Sequence, residues 1–127
     1  MPTLADANHL LALEGLDRDT LTGLLDASEA MLPAVMDRAA ALDPAPLAGR
    51  IIANLFFEDS TRTRTGFTIA AHRLGASTVD LTRGGSSMSK GETLVDTALN
   101  IEAMGVDAMI VRTPASGGAA MVAAAVA

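Results

Sequence analysis

The sequence predicts an α/β fold, a parallel sheet with flanking helices, on three observations. The run from Ile51 to Phe57 is short and almost continuously apolar, as a strand buried on both faces must be. Segments with apolar residues at helical spacing follow it. Strand-like and helix-like segments then alternate three times, the order of right-handed βαβ units. A length of 127 residues, with 50% hydrophobic and 19% charged, suits one globular domain with its own core.

Residues 1–16 lack a clean period and are read as an arm or short helix. Asp17 stands at an N-cap position ahead of Leu21, Leu24, Leu25, Met31, Leu32 and Val35 on one amphipathic face, so a helix is predicted from Asp17 to about Asp37. Pro33 within it predicts a kink or an early stop. Asp43 to Gly49, with Pro44 and Pro46, is a turn or short linker. After the first strand, Glu58, Asp59 and Ser60 break the apolar run. Phe67, Ala70, Ala71 and Leu74 then mark a helix that ends at Gly75, a C′ residue. Ser77 to Leu81 is a second strand, Thr82 to Lys90 a Gly/Ser-rich loop, and Glu92 to Met104 a helix with Leu94, Val95, Ala98 and Ile101 inward. Ala108 to Val111 is a third strand, Thr113 to Gly118 a turn, and the Ala-rich tail begins another helix. Together these make a three-layer, Rossmann-like half.

Composition excludes several functions. With no cysteine, there is no thiolate nucleophile, zinc-thiolate site or iron–sulfur cluster. The longest apolar stretch, Ala119 to Ala127, is about half of the roughly 20 residues a membrane-spanning helix needs. A secretory signal would place a positive charge ahead of an apolar run, whereas the first basic residue is Arg18, so a cytoplasmic protein is expected. The net charge of −6 argues against a general nucleic-acid or anionic-membrane surface. His72, in an Ala-rich helix, and His9, in the arm, are read as structural, and the seven methionines as core filler.

The charge is nevertheless locally reversed. Between Thr61 and Gly91 stand Arg62, Arg64, Arg73, Arg83 and Lys90 against Asp80 alone, so five of the nine Lys+Arg residues lie in about a quarter of the chain. Ligands of open parallel sheets bind beyond the carboxyl ends of the strands. The segments at that edge are Glu58 to Arg64, Thr82 to Lys90 and Arg112 to Pro114, and all three carry positive charge. Ser60, Thr61, Arg62, Thr63 and Arg64 moreover sit at a strand-to-helix junction. There unpaired backbone N–H groups, hydroxyls and a guanidinium fork favour a phosphate. No Walker-type Gly-Lys-Ser/Thr loop is present.

FFEDSTRTR at Phe56 to Arg64, HRLGAS at His72 to Ser77, SSMSKGETLVDT at Ser86 to Thr97 and VDAMIVRTP at Val106 to Pro114 stand in order over about 60 residues. In these blocks the chain resembles the carbamoyl-phosphate domain of aspartate carbamoyltransferase catalytic chains, within the transcarbamoylase family. The Ser-Thr-Arg-Thr-Arg block is general to transcarbamoylases, and the Ser-Lys-Gly-Glu-Thr loop points to aspartate as the acceptor.

The resemblance implies a carbamoyl-phosphate site at Ser60, Thr61, Arg62, Thr63 and Arg112, with Arg62, Thr63 and Arg112 catalytic. Lys90 and Ser87, or Ser86 if the loop register slips, match residues that act at the aspartate end or in a neighbouring subunit's site. Glu58 and Arg64 match residues that support the site by ion pairing. The implied reaction moves the carbamoyl group to the α-amine of aspartate through a tetrahedral oxyanion, with phosphate leaving. No cofactor and no metal are required. Thr63 and Arg112 would polarise the carbamoyl oxygen, while Arg62 and Lys90 would stabilise the departing phosphate. A homotrimer with shared active sites is also implied, with regulatory or dihydroorotase chains as further partners it allows.

The sequence departs from the family pattern at Gly66 and Thr68, where serine and glutamate are usual. The family's next block, with a histidine and a glutamine for the carbamoyl group, and its whole aspartate-binding domain are absent from these 127 residues. The expectation is a truncated carbamoyl-phosphate domain over residues 1–127, catalytically incomplete alone. Two other functions stay open: a non-catalytic phosphate-ligand or interaction domain, and an ornithine-type transcarbamoylase.

Overall fold

A computed structural model of the chain describes residues 8–37, 42–85 and 92–127. They belong to two compact units, one holding the helix α1 (Arg18–Met36), the other running from Leu42 to Val126. Asp17 caps α1 as expected: its backbone is extended and its carboxylate accepts from the Thr20 N–H at 2.7 Å. That bond holds the Asp17 carboxyl below the usual carboxylate range.

Pro33 does not end the helix at once. It lies in the last turn, where a missing N–H costs one bond, and its carbonyl still accepts from the Asp37 N–H at 2.9 Å. The predicted apolar face of α1 is only partly covered. Leu21 and Leu24 are half-buried and Ala34 is buried, but Leu25 (71% exposed), Met31, Leu32 and Val35 are exposed. Among the described residues of this unit α1 is the one regular helix or strand, so no second such element covers the whole stripe.

The second unit is built on three parallel strands, β1 (Ile51–Phe56), β2 (Ser77–Thr82) and β3 (Ala108–Arg112), in the order β2-β1-β3. The central place of β1 accounts for its composition, since every residue from Ile52 to Phe57 is buried. Its alternate residues serve opposite faces. On one face Ile52 packs with Ala71 and Ala76 beside Leu47 and Ile110, under α2 (Thr61–Arg73). On the other, Ala53, Leu55 and Phe57 join Ala98 and Val122, from α3 (Leu94–Ala103) and α4 (Gly118–Ala125), in the larger core. The three layers match the predicted α/β half. No helix of the described residues is long and apolar enough to cross a membrane.

One boundary, by more than a single residue, and one helix face differ from the sequence reading. The second helix begins at Thr61 and ends as expected at Gly75, whose φ is +90°. There the Gly75 N–H reaches the His72 carbonyl at 3.0 Å and the Ala76 N–H the Ala71 carbonyl at 2.9 Å. A β-carbon at Gly75 would lie 2.6 Å from the Ala45 Cβ, so the position excludes a side chain both by backbone strain and by space.

The third helix starts at Leu94, not Glu92, because Thr93 and Asp96 close a capping box. Glu92 lies outside it and accepts from the Thr97 hydroxyl at 2.9 Å and the Asn100 amide at 2.8 Å. In α2, Phe67 and Ala70 point outward, while Ala71 is buried and Arg64 and Thr68 are half-buried. The rotation follows from polar ties that propensity does not reveal: Thr68 meets Asn54 of β1, and Thr63 meets Arg112 of β3.

At the opposite end of the sheet, Asp107 clasps β1 to β3. Its carboxylate accepts from the Ile51 N–H at 2.8 Å and from Arg50 at 2.7 Å. The backbone bond first, and Arg50 second, hold the Asp107 carboxyl below its ordinary range. A lowered folded-state pKa means stability that is present above the unfolded-state value and lost as pH falls through the folded-state value. Asp107→Asn is therefore expected to destabilise the protein near neutrality. Its difference from the wild type in urea midpoint should vanish progressively as pH drops below about 4. A difference independent of pH would show that the carboxylate charge has no part in the clasp.

Candidate functional site: a cationic rim at the strand ends

Parallel pairing brings the carboxyl ends of all three strands to one edge. Phe56 pairs with Arg112 on β3 and with Thr82 on β2, so the last residue of each strand lies at the same level. The chain leaves β1 through Glu58, Asp59 and Ser60 and enters α2 directly above. Arg112 then reaches across: its Nε donates to the Glu58 carboxylate at 2.6 Å, and its Nη1 donates to the Ser60 hydroxyl at 2.9 Å and the Thr63 hydroxyl at 3.2 Å.

This arrangement leaves a specific set of donors. Arg112 has five N–H protons, three of them used here, so both Nη2 protons are left over among the described residues. Ser60 and Thr63 accept from Arg112 through oxygen and keep their own hydroxyl protons to donate. Ser60 is the N-cap of α2 yet makes no side-chain capping bond, and the first turn carries no acidic residue. The N–H groups of Thr61, Arg62 and Thr63 consequently have no partner within the helix, and the helix dipole adds partial positive charge. Thr61 and Arg62 are exposed, and Arg62 makes no hydrogen bond or ion pair among the described residues. Backbone N–H groups, two hydroxyls and the Arg112 guanidinium are thus gathered at one helix end, with Arg62 an exposed residue of the same first turn.

Glu58 sets the direction of Arg112 more than it stabilises the fold. The two side chains are 34% and 41% exposed, and ion pairs of that exposure are worth at most about 1 kcal/mol. Arg64, expected to pair with an acid, is half-buried and makes no ion pair among the described residues. Glu58, by contrast, does form an ion pair, with Arg112. Lys90, Ser87 and Ser86 lie outside the described residues.

Beside this cluster, and sharing Glu58 with it, is a cleft of about 290 Å³ lined by Phe56, Phe57, Glu58, Asp59, Arg83, Gly84 and Pro114. Arg83 stands in the short 3₁₀ turn after β2, and Pro114 follows β3. Arg83, Asp59 and Pro114 had no assigned role in the sequence. Arg83, one of the five clustered cations, is read from the sequence onto the same rim as Glu58 and Asp59, and the structure adds the cleft that they line together.

Residues 8–127 match the model of the aspartate/ornithine carbamoyltransferase family, carbamoyl-P binding domain. The chain belongs to that family. It is 53% identical over 115 residues to the aspartate carbamoyltransferase catalytic subunit of Myxococcus xanthus, covering 91% of this chain and 37% of that one. Against the solved catalytic subunit of M. jannaschii aspartate transcarbamoylase it gives a TM-score of 0.83 at 30% identity, covering 94% of this chain and 38% of that one. The Trypanosoma cruzi aspartate transcarbamoylase, solved with carbamoyl phosphate and aspartate, gives 0.81 at 32% identity, covering 92% and 35%. The chain thus spans a little over a third of the length of the relatives it matches.

Proposed function

We propose that this family member carries the carbamoyl-phosphate half-site of an aspartate carbamoyltransferase. In that enzyme a carbamoyl group passes from carbamoyl phosphate to the amino group of L-aspartate, giving N-carbamoyl-L-aspartate and phosphate. One observation carries the reading: Arg112, Ser60 and Thr63 converge at an uncapped helix N-terminus that has no acid in its first turn. The donor set suits an anion with several oxygens and needs no metal or covalent nucleophile. Residues 1–127 form the N-terminal part of the carbamoyl-phosphate domain in this reading, the aspartate-binding domain being separate from them.

Ser60, Thr61, Arg62, Thr63 and Arg112 hold carbamoyl phosphate. In this reading the free Nη2 protons of Arg112 and the Thr63 hydroxyl polarise the carbamoyl oxygen as the amine attacks, and Arg62, with Lys90, stabilises charge building on the departing phosphate. Lys90 and Ser87 serve the aspartate end or a neighbouring subunit's site. The family model spans aspartate and ornithine acceptors alike, and the aspartate assignment rests on the named relatives and the Ser-Lys-Gly-Glu-Thr loop. Placement in the UMP pathway of pyrimidine biosynthesis, in the cytoplasm and in a trimer with shared sites belongs to the same proposal.

Calorimetric titration with carbamoyl phosphate tests it, using this chain and any longer natural form. Arg62→Ala is expected to weaken binding by roughly 1.5–3 kcal/mol, the worth of one charge-assisted contact. Unchanged affinity in that variant would remove Arg62 from the site. Absence of binding by the unaltered protein would overturn the function.

A further inference from the structure

The central strand carries one residue at odds with its surroundings. Between Ile51 and Phe57 every residue is apolar except Asn54, which is 0% exposed. Its amide nitrogen uses both protons, donating to the Thr68 hydroxyl of α2 at 3.1 Å and to the Asp80 carboxylate of β2 at 2.8 Å. Its carbonyl oxygen Oδ1 is buried without a hydrogen-bond partner. A group placed only for stability would not leave an acceptor unpaired, since an apolar side chain of similar size avoids that cost.

The location supplies another role. On the α2 face of the sheet three tiers rise toward the rim. Ile52 packs with Ala71, Asn54 bonds Thr68, and Arg112, paired with Phe56, bonds Ser60 and Thr63. Apolar contact in the lowest tier is non-directional and lets α2 slide or turn, whereas a hydrogen bond of fixed length does not. Thr68 lies five residues from Thr63, about 7.5 Å along a rigid helix, so fixing one fixes the other. Asp80, opposite Asn54 in the strand register, holds the amide in the orientation that presents its second proton to Thr68.

We infer that Asn54 is a positioning residue for the anion site: through Thr68 it sets the height and rotation of α2, and hence the place of Ser60, Thr63 and the free N–H groups relative to Arg112. The inference rests on the carbamoyl-phosphate reading of the rim.

The test uses the whole natural protein, inorganic phosphate and carbamoyl phosphate as titrants, and a thermal unfolding midpoint for each variant. Asn54→Leu and Thr68→Val remove the tie while nearly keeping volume. Both are expected to weaken phosphate and carbamoyl-phosphate binding by about tenfold, what one weakened charge-assisted contact is worth. Asn54→Leu should do so without lowering the unfolding midpoint, because the unpaired Oδ1 goes with the amide. Thr68→Ser, which keeps the hydroxyl, should restore wild-type affinity. Wild-type affinity in a folded Thr68→Val protein would overturn the inference while leaving the anion site standing. So would a midpoint that falls in Asn54→Leu with affinity unchanged. No binding by the unaltered protein would overturn both the site and the inference.

Discussion

Replacing Arg112 by alanine is expected to reduce carbamoyl-phosphate affinity by at least about 100-fold, roughly 3 kcal/mol or more. The variant loses more than one ligand contact. It removes the partner that turns the Ser60 and Thr63 oxygens inward, and it leaves the Glu58 carboxylate unpaired at the mouth of an anion site. Like-charge repulsion then adds to the missing donor. Arg112→Lys keeps the charge but cannot hold Glu58, Ser60 and Thr63 with one planar fork, so it should recover only part of the loss. Calorimetry on both variants, with far-UV circular dichroism to confirm folding, reads the effect. Full affinity in the lysine variant would mean that charge alone matters.

Phe57→Ala is expected to cost about 3–5 kcal/mol of stability, the usual range for a fully buried ring. Phe57 is 2% exposed and belongs to the larger core with Leu55, Ala98 and Val122. Against the roughly 5–15 kcal/mol available to a natural domain, that loss removes a large part of the folded population's margin. Its backbone N–H, which donates to the Arg112 carbonyl at 2.8 Å, survives the substitution. Affinity of the remaining folded protein should therefore change little, and stability and binding should separate. A urea midpoint shift worth less than about 1 kcal/mol would show that the core closes over the missing ring.

The parts legible in the sequence and the parts hidden there differ for physical reasons. Strand β1 could be read because burial on both faces leaves a continuous apolar run, and the alternation of segments then implied a parallel sheet. Asp17 could be read because a cap acts within four residues. The inward face of α2 could not, because Thr68 and Thr63 answer to Asn54 and Arg112, which lie 14 and 49 residues away. The Asp107 clasp, 56 residues from Ile51, was equally invisible. For the site, chain order placed Arg112 on the correct rim. Its meeting with Ser60, Thr63 and Glu58 required the register that pairs Phe56 with Arg112. Arg83 belonged to a visible charge cluster, but its place in a cleft was a property of the folded sheet.

The strand order has a kinetic side as well. β1 pairs first in sequence with β2, Ile51 opposite Ser77, and much later with β3, Ile52 opposite Ala108. During synthesis the β1–α2–β2 unit is exposed and able to close before β3 is made, because chains emerge from their N-terminal end. At that stage the α2 N-terminus exists without Arg112, and Glu58 without its counter-charge. Docking of β3 brings both at once, so among the described residues the cationic rim is assembled only when β3 is in place. Under the proposed reading, a phosphate ester that binds only the assembled rim would favour that late step by mass action, and its affinity would report whether β3 has docked.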